Sequence, residues 1–190
     1  MAAEDRDAQN AAIAREMALA ERNLRILQCR KDLLKFSQFM MPDPAEPMNP
    51  FKSTYVATKF HTEVAKALEA VEREEIKQLI FCMPPRHGKT QLATKNLAAW
   101  IAGLHPEWDI GVASYSDTMA TDFGADTRAV IQSRQFHAVF PDYALRKGGS
   151  AKDNIQSTKG GRLVFVGRGG ALTGRGMHIG LGDDLFKDHE

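Results

Sequence analysis

Residues 78–90 read Gln78-Leu79-Ile80-Phe81-Cys82-Met83-Pro84-Pro85-Arg86-His87-Gly88-Lys89-Thr90, a short apolar run leading into a stiff loop that ends in glycine, lysine and a hydroxyl residue. The run, residues 78–83, predicts a strand in the buried middle of a parallel sheet. From Thr90 to about Ile101 the apolar spacing is that of a helix. Strand, loop and helix in this order frame a phosphate-binding loop. In G-x-x-x-x-G-K-[ST], backbone N–H groups turn inward at a helix N-terminus, the lysine reaches the β- and γ-phosphates and the hydroxyl binds magnesium. Gly88, Lys89 and Thr90 fill the end of that motif, but Met83 stands where its first glycine belongs, so the prolines must shape the loop's start. A bare G-K-[ST] arises by chance in roughly one in ten chains of this length, so the placement between strand and helix carries the reading. Pro85, Arg86, His87, Gly88, Lys89, Thr90 and Gln91 are the expected nucleotide-phosphate contacts.

Outward from this stretch, residues 109–114 predict a strand and residues 117–133 a helix with Ser116 as N-cap. The apolar run 163–166, set among glycine, lysine and arginine, predicts a strand in a hairpin or extended loop. Residues 177–182 predict a third strand, softened by Gly180 and Gly182. The alternation of strand and helix argues for an α/β domain with a parallel sheet. Upstream, a helix is expected from Ser53 or Thr54 to about Arg73, with Val56, Phe60, Val64, Ala67, Leu68 and Val71 on one side. Residues 8–41 carry Ile13, Met17, Ala20, Leu24, Leu27 and Leu34 near a 3.5-residue repeat, the mark of an amphipathic helix. Its stripe is expected to dock on its own domain, with a partner helix as the other option. Pro42, Pro44, Pro47 and Pro50 then interrupt any helix. The expected division is an N-terminal helical arm at 1–41, a Pro-rich linker at 42–52 and the phosphate-binding domain at 53–190.

A nucleoside triphosphatase also needs a carboxylate for hydrated magnesium and a group that orients the attacking water. Asp183 and Asp184 end the third predicted strand, where α/β sites form. Thr90 and Asp183 are the expected magnesium residues. Arg86 lies within the loop as an arginine finger supplied in cis, or as a ground-state electrostatic contact. His87 has no nucleophile to pair with and is expected to pack or face solvent.

The 190 residues suffice for one domain plus an arm, and the 43% hydrophobic and 26% charged composition excludes disordered, collagen-like and disulfide-built chains. Cys29 and Cys82 have neither disulfide-framework nor zinc-knuckle spacing. No apolar run approaches the roughly 18 residues of a membrane span, and the acidic, alanine-rich start is not signal-like, so a cytosolic protein is expected. The net charge is +1, yet Arg128, Arg134, Arg146, Lys147, Lys152, Lys159, Arg162, Arg168 and Arg175 stand against only Asp142 and Asp153. Such a run lines a nucleic-acid path or forms a solvated face.

Taken together, these residues resemble the large terminase subunit, the DNA-packaging motor of tailed bacteriophages, from about Phe36 to Glu190. The likeness rests on Pro84-Pro85-Arg86-His87-Gly88-Lys89-Thr90 as a deviant Walker A loop and on Ser114-Tyr115-Ser116 with Phe123-Gly124 and Arg128. It continues in Gly169-Gly170-Ala171-Leu172-Thr173-Gly174-Arg175-Gly176 ahead of Asp183-Asp184. The resemblance implies a RecA-like P-loop NTPase that uses ATP and Mg²⁺ to drive double-stranded DNA into a procapsid in the bacterial cytoplasm. It implies Lys89 and Thr90 as the Walker A pair, Asp183 as the Walker B carboxylate, and Asp184 or Glu190 as the water-orienting group. Arg162, Arg168 and Arg175 become DNA-side candidates. The small terminase subunit, the portal and further copies of the chain on the portal become expected partners. In RecA-like sheets a strand later in sequence inserts between the Walker A and Walker B strands. It and the nuclease carboxylates would lie beyond Glu190, so the sequence reads as a truncated motor with unpaired sheet edges and poor ATP turnover. A helicase-like ATPase or small-molecule kinase, and a catalytically silent interaction module, are the alternatives.

Overall fold

The structure, a computed structural model, describes residues 2–84, 86–170 and 176–186. The N-terminal helical pattern resolves into two helices, α1 (Ala2–Cys29) and α2 (Leu33–Met40). The break comes at Asp32, whose extended backbone and side chain cap α2 by accepting the Lys35 N–H at 2.8 Å. Leu33, Phe36 and Phe39 of α2 are buried in the core. Docking of the α1 stripe on its own domain does not occur. Ile13, Met17, Leu24 and Leu27 are all about half exposed or more, because α1 meets the body only near its C-terminus, where Arg25 and Cys29 are buried.

The third helix, α3 (Lys59–Glu72), starts later than its apolar pattern suggests and leaves Val56 and Phe60 exposed. Its start is set by Thr58 and His61: the imidazole accepts the Thr58 N–H at 3.1 Å and its hydroxyl at 2.8 Å, so histidine plays the glutamate part of a capping box. From α3, Glu69 accepts the first N–H of α2, that of Leu33, at 2.8 Å, and burial pushes the Glu69 pKa up. After Lys89 and Thr90 the expected helix opens with a π-turn at Gln91–Asn96 and continues as α4 (Leu97–Leu104). The Leu97 N–H reaches back to the Leu92 carbonyl, one residue further than an α-helix allows. Leu97, Ala98, Ala99, Trp100, Ile101 and Ala102 are all buried, and the Trp100 indole donates to the Cys29 carbonyl at 2.8 Å, tying α4 to the end of α1.

Among the described residues the sheet comprises β1 (Asp109–Ala113), β2 (Leu145–Ala151), β3 (Asn154–Ser157), β4 (Arg162–Val166) and β5 (Ile179–Gly182), in the order β2-β3-β4-β1-β5. The fold class is α/β, but the sheet is mixed rather than parallel. β4 and β5 flank β1 in parallel, whereas β2, β3 and β4 run antiparallel. The reversal follows from connection length: the tight turn at Lys152 and Asp153 can join only antiparallel neighbours. Ser116 caps α5 (Asp117–Ile131) as expected, accepting the Met119 N–H at 3.3 Å, and Ser133 caps α6 (Arg134–Val139). α5 presses on the hairpin at Gly124, where a Cβ would lie 1.8 Å from the Lys152 carbonyl oxygen.

Residues 78–83 do not form the predicted strand. Leu79, Phe81 and Met83 rest half-buried on the core while Ile80 and Cys82 face outward, Ile80 being 95% exposed. The period-2 burial is that of a strand laid on a core. The missing ingredient is a ladder partner: among the described residues β5, at one edge of the sheet, pairs with β1 alone.

Candidate functional site

The loop that follows residues 78–83 is held by its backbone. Arg86 adopts a left-handed conformation (φ 63°), and Gly88 does so at φ 74°. A Cβ on Gly88 would crowd the buried Tyr55 ring at 3.1 Å and its hydroxyl at 3.2 Å, so glycine answers both the dihedral and the close approach. Burial pushes the Tyr55 pKa up to about 12, and its hydroxyl has no partner among the described residues. The His61 Nε2–H donates to the His87 carbonyl at 2.8 Å, which fixes the ring tautomer and anchors the loop to the N-terminus of α3.

On the opposite wall, β1 and β5 place the acidic pair. The Asp183 N–H donates to the Ala113 carbonyl at 3.0 Å and the Tyr115 N–H to the Asp184 carbonyl at 3.2 Å, extending the β1·β5 register past the strand ends. Asp184 is left-handed (φ 47°), which turns the second carboxylate away from the direction a continuing strand would give it. The two walls meet at Lys89. Its ammonium lies 3.1 Å from Asp183 Oδ1 and 2.5 Å from Asp184 Oδ1. Desolvation works against the lysine's charge, but hydrogen bonds to Asp184 and Asp183 outweigh it, and its pKa lies above the ordinary value. The other oxygen of Asp183, Oδ2, accepts the Thr94 hydroxyl at 2.9 Å, and both residues are buried.

Loop and acids, 95 residues apart in the chain, are thus brought together. Thr90 stands half-buried at the head of the π-turn, but the hydroxyl bonded to Asp183 belongs to Thr94. Gln91 turns along the helix and donates to Asn96 Oδ1 at 3.0 Å. The side chains of Arg86 and His87 are exposed. Arg162 donates to both oxygens of Asp109, at 3.0 and 2.6 Å, where β4 and β1 begin, at the opposite end of the parallel strands from Asp183. Arg168 follows β4 at the same end as the acids. Pro85, Arg175 and Glu190 lie outside the described residues.

Sequence reasoning missed Thr94, His61 and Tyr55. Thr94 is a hydroxyl in a helix otherwise rich in leucine and alanine, and Thr58-x-x-His61 has capping-box spacing; both are readable signals in retrospect. Nothing in the sequence marks Tyr55 as the neighbour of Gly88. A cavity of about 280 Å³ lies elsewhere, lined by Arg22, Phe39, Met48, Lys52 and Arg134. Among the described residues no group of three or more His, Cys, Asp and Glu gathers as a metal cage. Two adjacent carboxylates are a donor set that suits magnesium, which takes one or two carboxylates and fills its shell with water and other oxygen ligands. No described helix is long and apolar enough to cross a membrane.

Comparison with known proteins gives one finding. The family model described as terminase large subunit, T4likevirus-type, N-terminal, matches residues 80–190. No curated protein and no solved structure matches the chain.

Proposed function

Since the chain belongs to the T4-like family of terminase large subunits, through the N-terminal portion, and so has a role in phage DNA packaging, we propose that it forms the ATP-binding and ATP-hydrolysing part of the motor that drives double-stranded DNA into a procapsid. The observation that carries this reading is the meeting of Lys89 with Asp183 and Asp184 at 3.1 and 2.5 Å. A lone lysine after a turn has no reason to share two carboxylates from a distant strand, whereas a Walker A lysine facing a Walker B acid has one.

The arrangement supports a P-loop NTPase of the RecA-like type. The Gly88 turn and the first turn of the following helix offer N–H groups to phosphate oxygens, and Lys89 adds a point charge. A triphosphate competes with Asp183 and Asp184 for that charge. Once Lys89 turns to the phosphates, both carboxylates face further negative charge, an arrangement favourable only with a divalent cation. Magnesium, when bound with the nucleotide, supplies that counter-charge and stabilises the charge that develops on the transferred phosphoryl group. Asp183 is then the metal carboxylate and the more exposed Asp184 the group that orients water. Arg86, exposed on its left-handed turn, is free of the core and suited to an arginine finger. Double-stranded DNA, the small subunit, the portal and neighbouring copies complete the proposed assembly.

Calorimetric titration with ATP and Mg²⁺ tests the reading on the purified chain. Binding that depends on Mg²⁺ and disappears in Lys89→Met is the expected result. Absence of any nucleotide heat refutes the ATP site and favours a silent interaction module. Should turnover be measurable, stimulation by duplex DNA supports the motor, and preference for single strands favours a helicase-like enzyme.

A further inference from the structure

The loop motif assigns its hydroxyl work to Thr90, yet the hydroxyl that touches the acidic pair is four residues on. Thr94 Oγ1 donates to Asp183 Oδ2 at 2.9 Å, with Thr94 3% and Asp183 4% exposed. The contact is made possible by the shape of the helix. At 3.6 residues per turn, a residue five positions after Lys89 points about 140° away from it. The π-turn at Gln91–Asn96 closes i→i+5 hydrogen bonds instead, so five positions come to little more than one turn and Thr94 swings to the side of Lys89. The Gln91 side chain bridges the same turn to Asn96 Oδ1 at 3.0 Å. Asp183 is consequently gripped at both oxygens, Oδ1 by Lys89 and Oδ2 by Thr94, through side chains borne on one short stretch of chain.

The two grips differ in kind. Lys89 is partly exposed and is the group that a polyanion would draw away, whereas Thr94 is neutral, buried and out of such competition. We infer that Thr94 is a positioning residue: it holds Asp183 Oδ2 through the exchange of Lys89 from acid to phosphate, so that Oδ1 stays aimed at the cation that accompanies the nucleotide, and the π-turn exists to deliver that hydroxyl. This rests on the ATP site proposed above. It assigns Thr94 no contact with nucleotide or metal; its effect passes through Asp183.

Two measurements on the full chain test it, using Thr94→Val, which keeps the shape and removes the donor, and Thr94→Ser, which restores it. The first is binding of ATP across a Mg²⁺ series and in EDTA. Thr94→Val is expected to raise the Mg²⁺ concentration for half-maximal binding about tenfold, the scale of one hydrogen bond to a charged group, while the weak or absent binding in EDTA is the same as in wild type and Thr94→Ser returns to the wild-type curve. The second, made without nucleotide, is a double-mutant cycle of Thr94→Val with Asp183→Ala, which removes the acceptor, in urea unfolding, where about tenfold coupling in the unfolding constant is expected. A Thr94→Val chain that binds ATP with the wild-type Mg²⁺ dependence overturns the positioning role alone, as does additivity in the cycle. A wild-type chain that binds no nucleotide overturns the ATP site and the positioning role with it.

Discussion

Replacing Lys89 with methionine removes the charge at the centre of the site while keeping most of the side chain's bulk. Its cost follows from what is left behind. Asp183, whose side chain is 5% exposed, loses its only ammonium partner among the described residues, next to a second carboxylate. Breaking a buried ion pair costs about 3–5 kcal/mol. Here the lysine is 27% exposed and Thr94 still donates to Asp183, which brings the expected loss to about 2 kcal/mol. The Asp184 leg, 54% exposed, adds no more than about 0.5 kcal/mol after screening. Urea unfolding in EDTA at neutral pH should therefore show Lys89→Met destabilised by about 2–2.5 kcal/mol, the sum of those two legs. Magnesium should reverse part of the loss. For an affinity on the order of 1 mM at the freed carboxylates, 10 mM Mg²⁺ returns about 1.4 kcal/mol, whereas wild type gains less because Lys89 already occupies both acids. The pH dependence has a definite sign: a lysine pKa raised by folding gives stability that is complete below about pH 10 and lost as pH climbs through the folded value. Lys89→Met should lack that alkaline loss. Equal stability of the two proteins in EDTA, or equal Mg²⁺ shifts, would refute the shared ion pair.

Gly88→Ala places a Cβ in a left-handed residue against the Tyr55 ring, so a loss of about 1–2 kcal/mol from the dihedral is expected, with weaker ATP binding; unchanged unfolding would contradict the loop geometry. Asp109→Asn should cost about 1 kcal/mol at neutral pH, discounted because Arg162 is 35% exposed. Hydrogen bonds from Arg162 hold the Asp109 pKa low, so this stability is present above the ordinary carboxylate value and lost as pH falls through the folded one; the acid limb of a stability-against-pH curve should be shallower in the variant. Backbone amides of residues 78–83, outside any ladder, should exchange with deuterium well ahead of those in β1 and β4, and equal protection would show that the run is paired after all.

The legible parts of the sequence were those decided locally. Ser116 before the α5 pattern predicted its cap, and residues 109–114 predicted a strand that forms over Asp109–Ala113, because capping and short apolar runs act within a few residues. The meeting of Lys89 with Asp183 and Asp184 was legible from motif order, a loop ending in glycine, lysine and threonine followed by an acidic pair at the end of β5, and not from a strand ahead of the loop. Residues 78–83 carry strand composition, but a strand is a property of a pair, and the partner is not written in the run itself. The α1 stripe misled for a related reason: periodicity states that a face is apolar without saying what covers it. The basic run likewise concealed Arg162, whose guanidinium is bound to Asp109 through a register no charge count reveals.

The unpaired run gives the ion pair a second meaning. Without a ladder between residues 78–83 and β5, the loop does not inherit its position from the sheet through backbone hydrogen bonds, as strands within a sheet do. Among the described residues, the side-chain contacts that tie it down include Lys89 on Asp183 and Asp184, Thr94 on Asp183, and His61 on the His87 carbonyl. Of these, Lys89 is the one a triphosphate would claim. In the proposed motor, nucleotide arrival therefore exchanges a loop-to-β5 link for a loop-to-phosphate link, and loss of the γ-phosphate weakens the latter. The His61 contact carries the loop's position to the head of α3, and Glu69 of α3 holds the first N–H of α2. In the proposed motor, a loop displacement that begins at Lys89 would therefore reach α3 through His61 and α2 through Glu69.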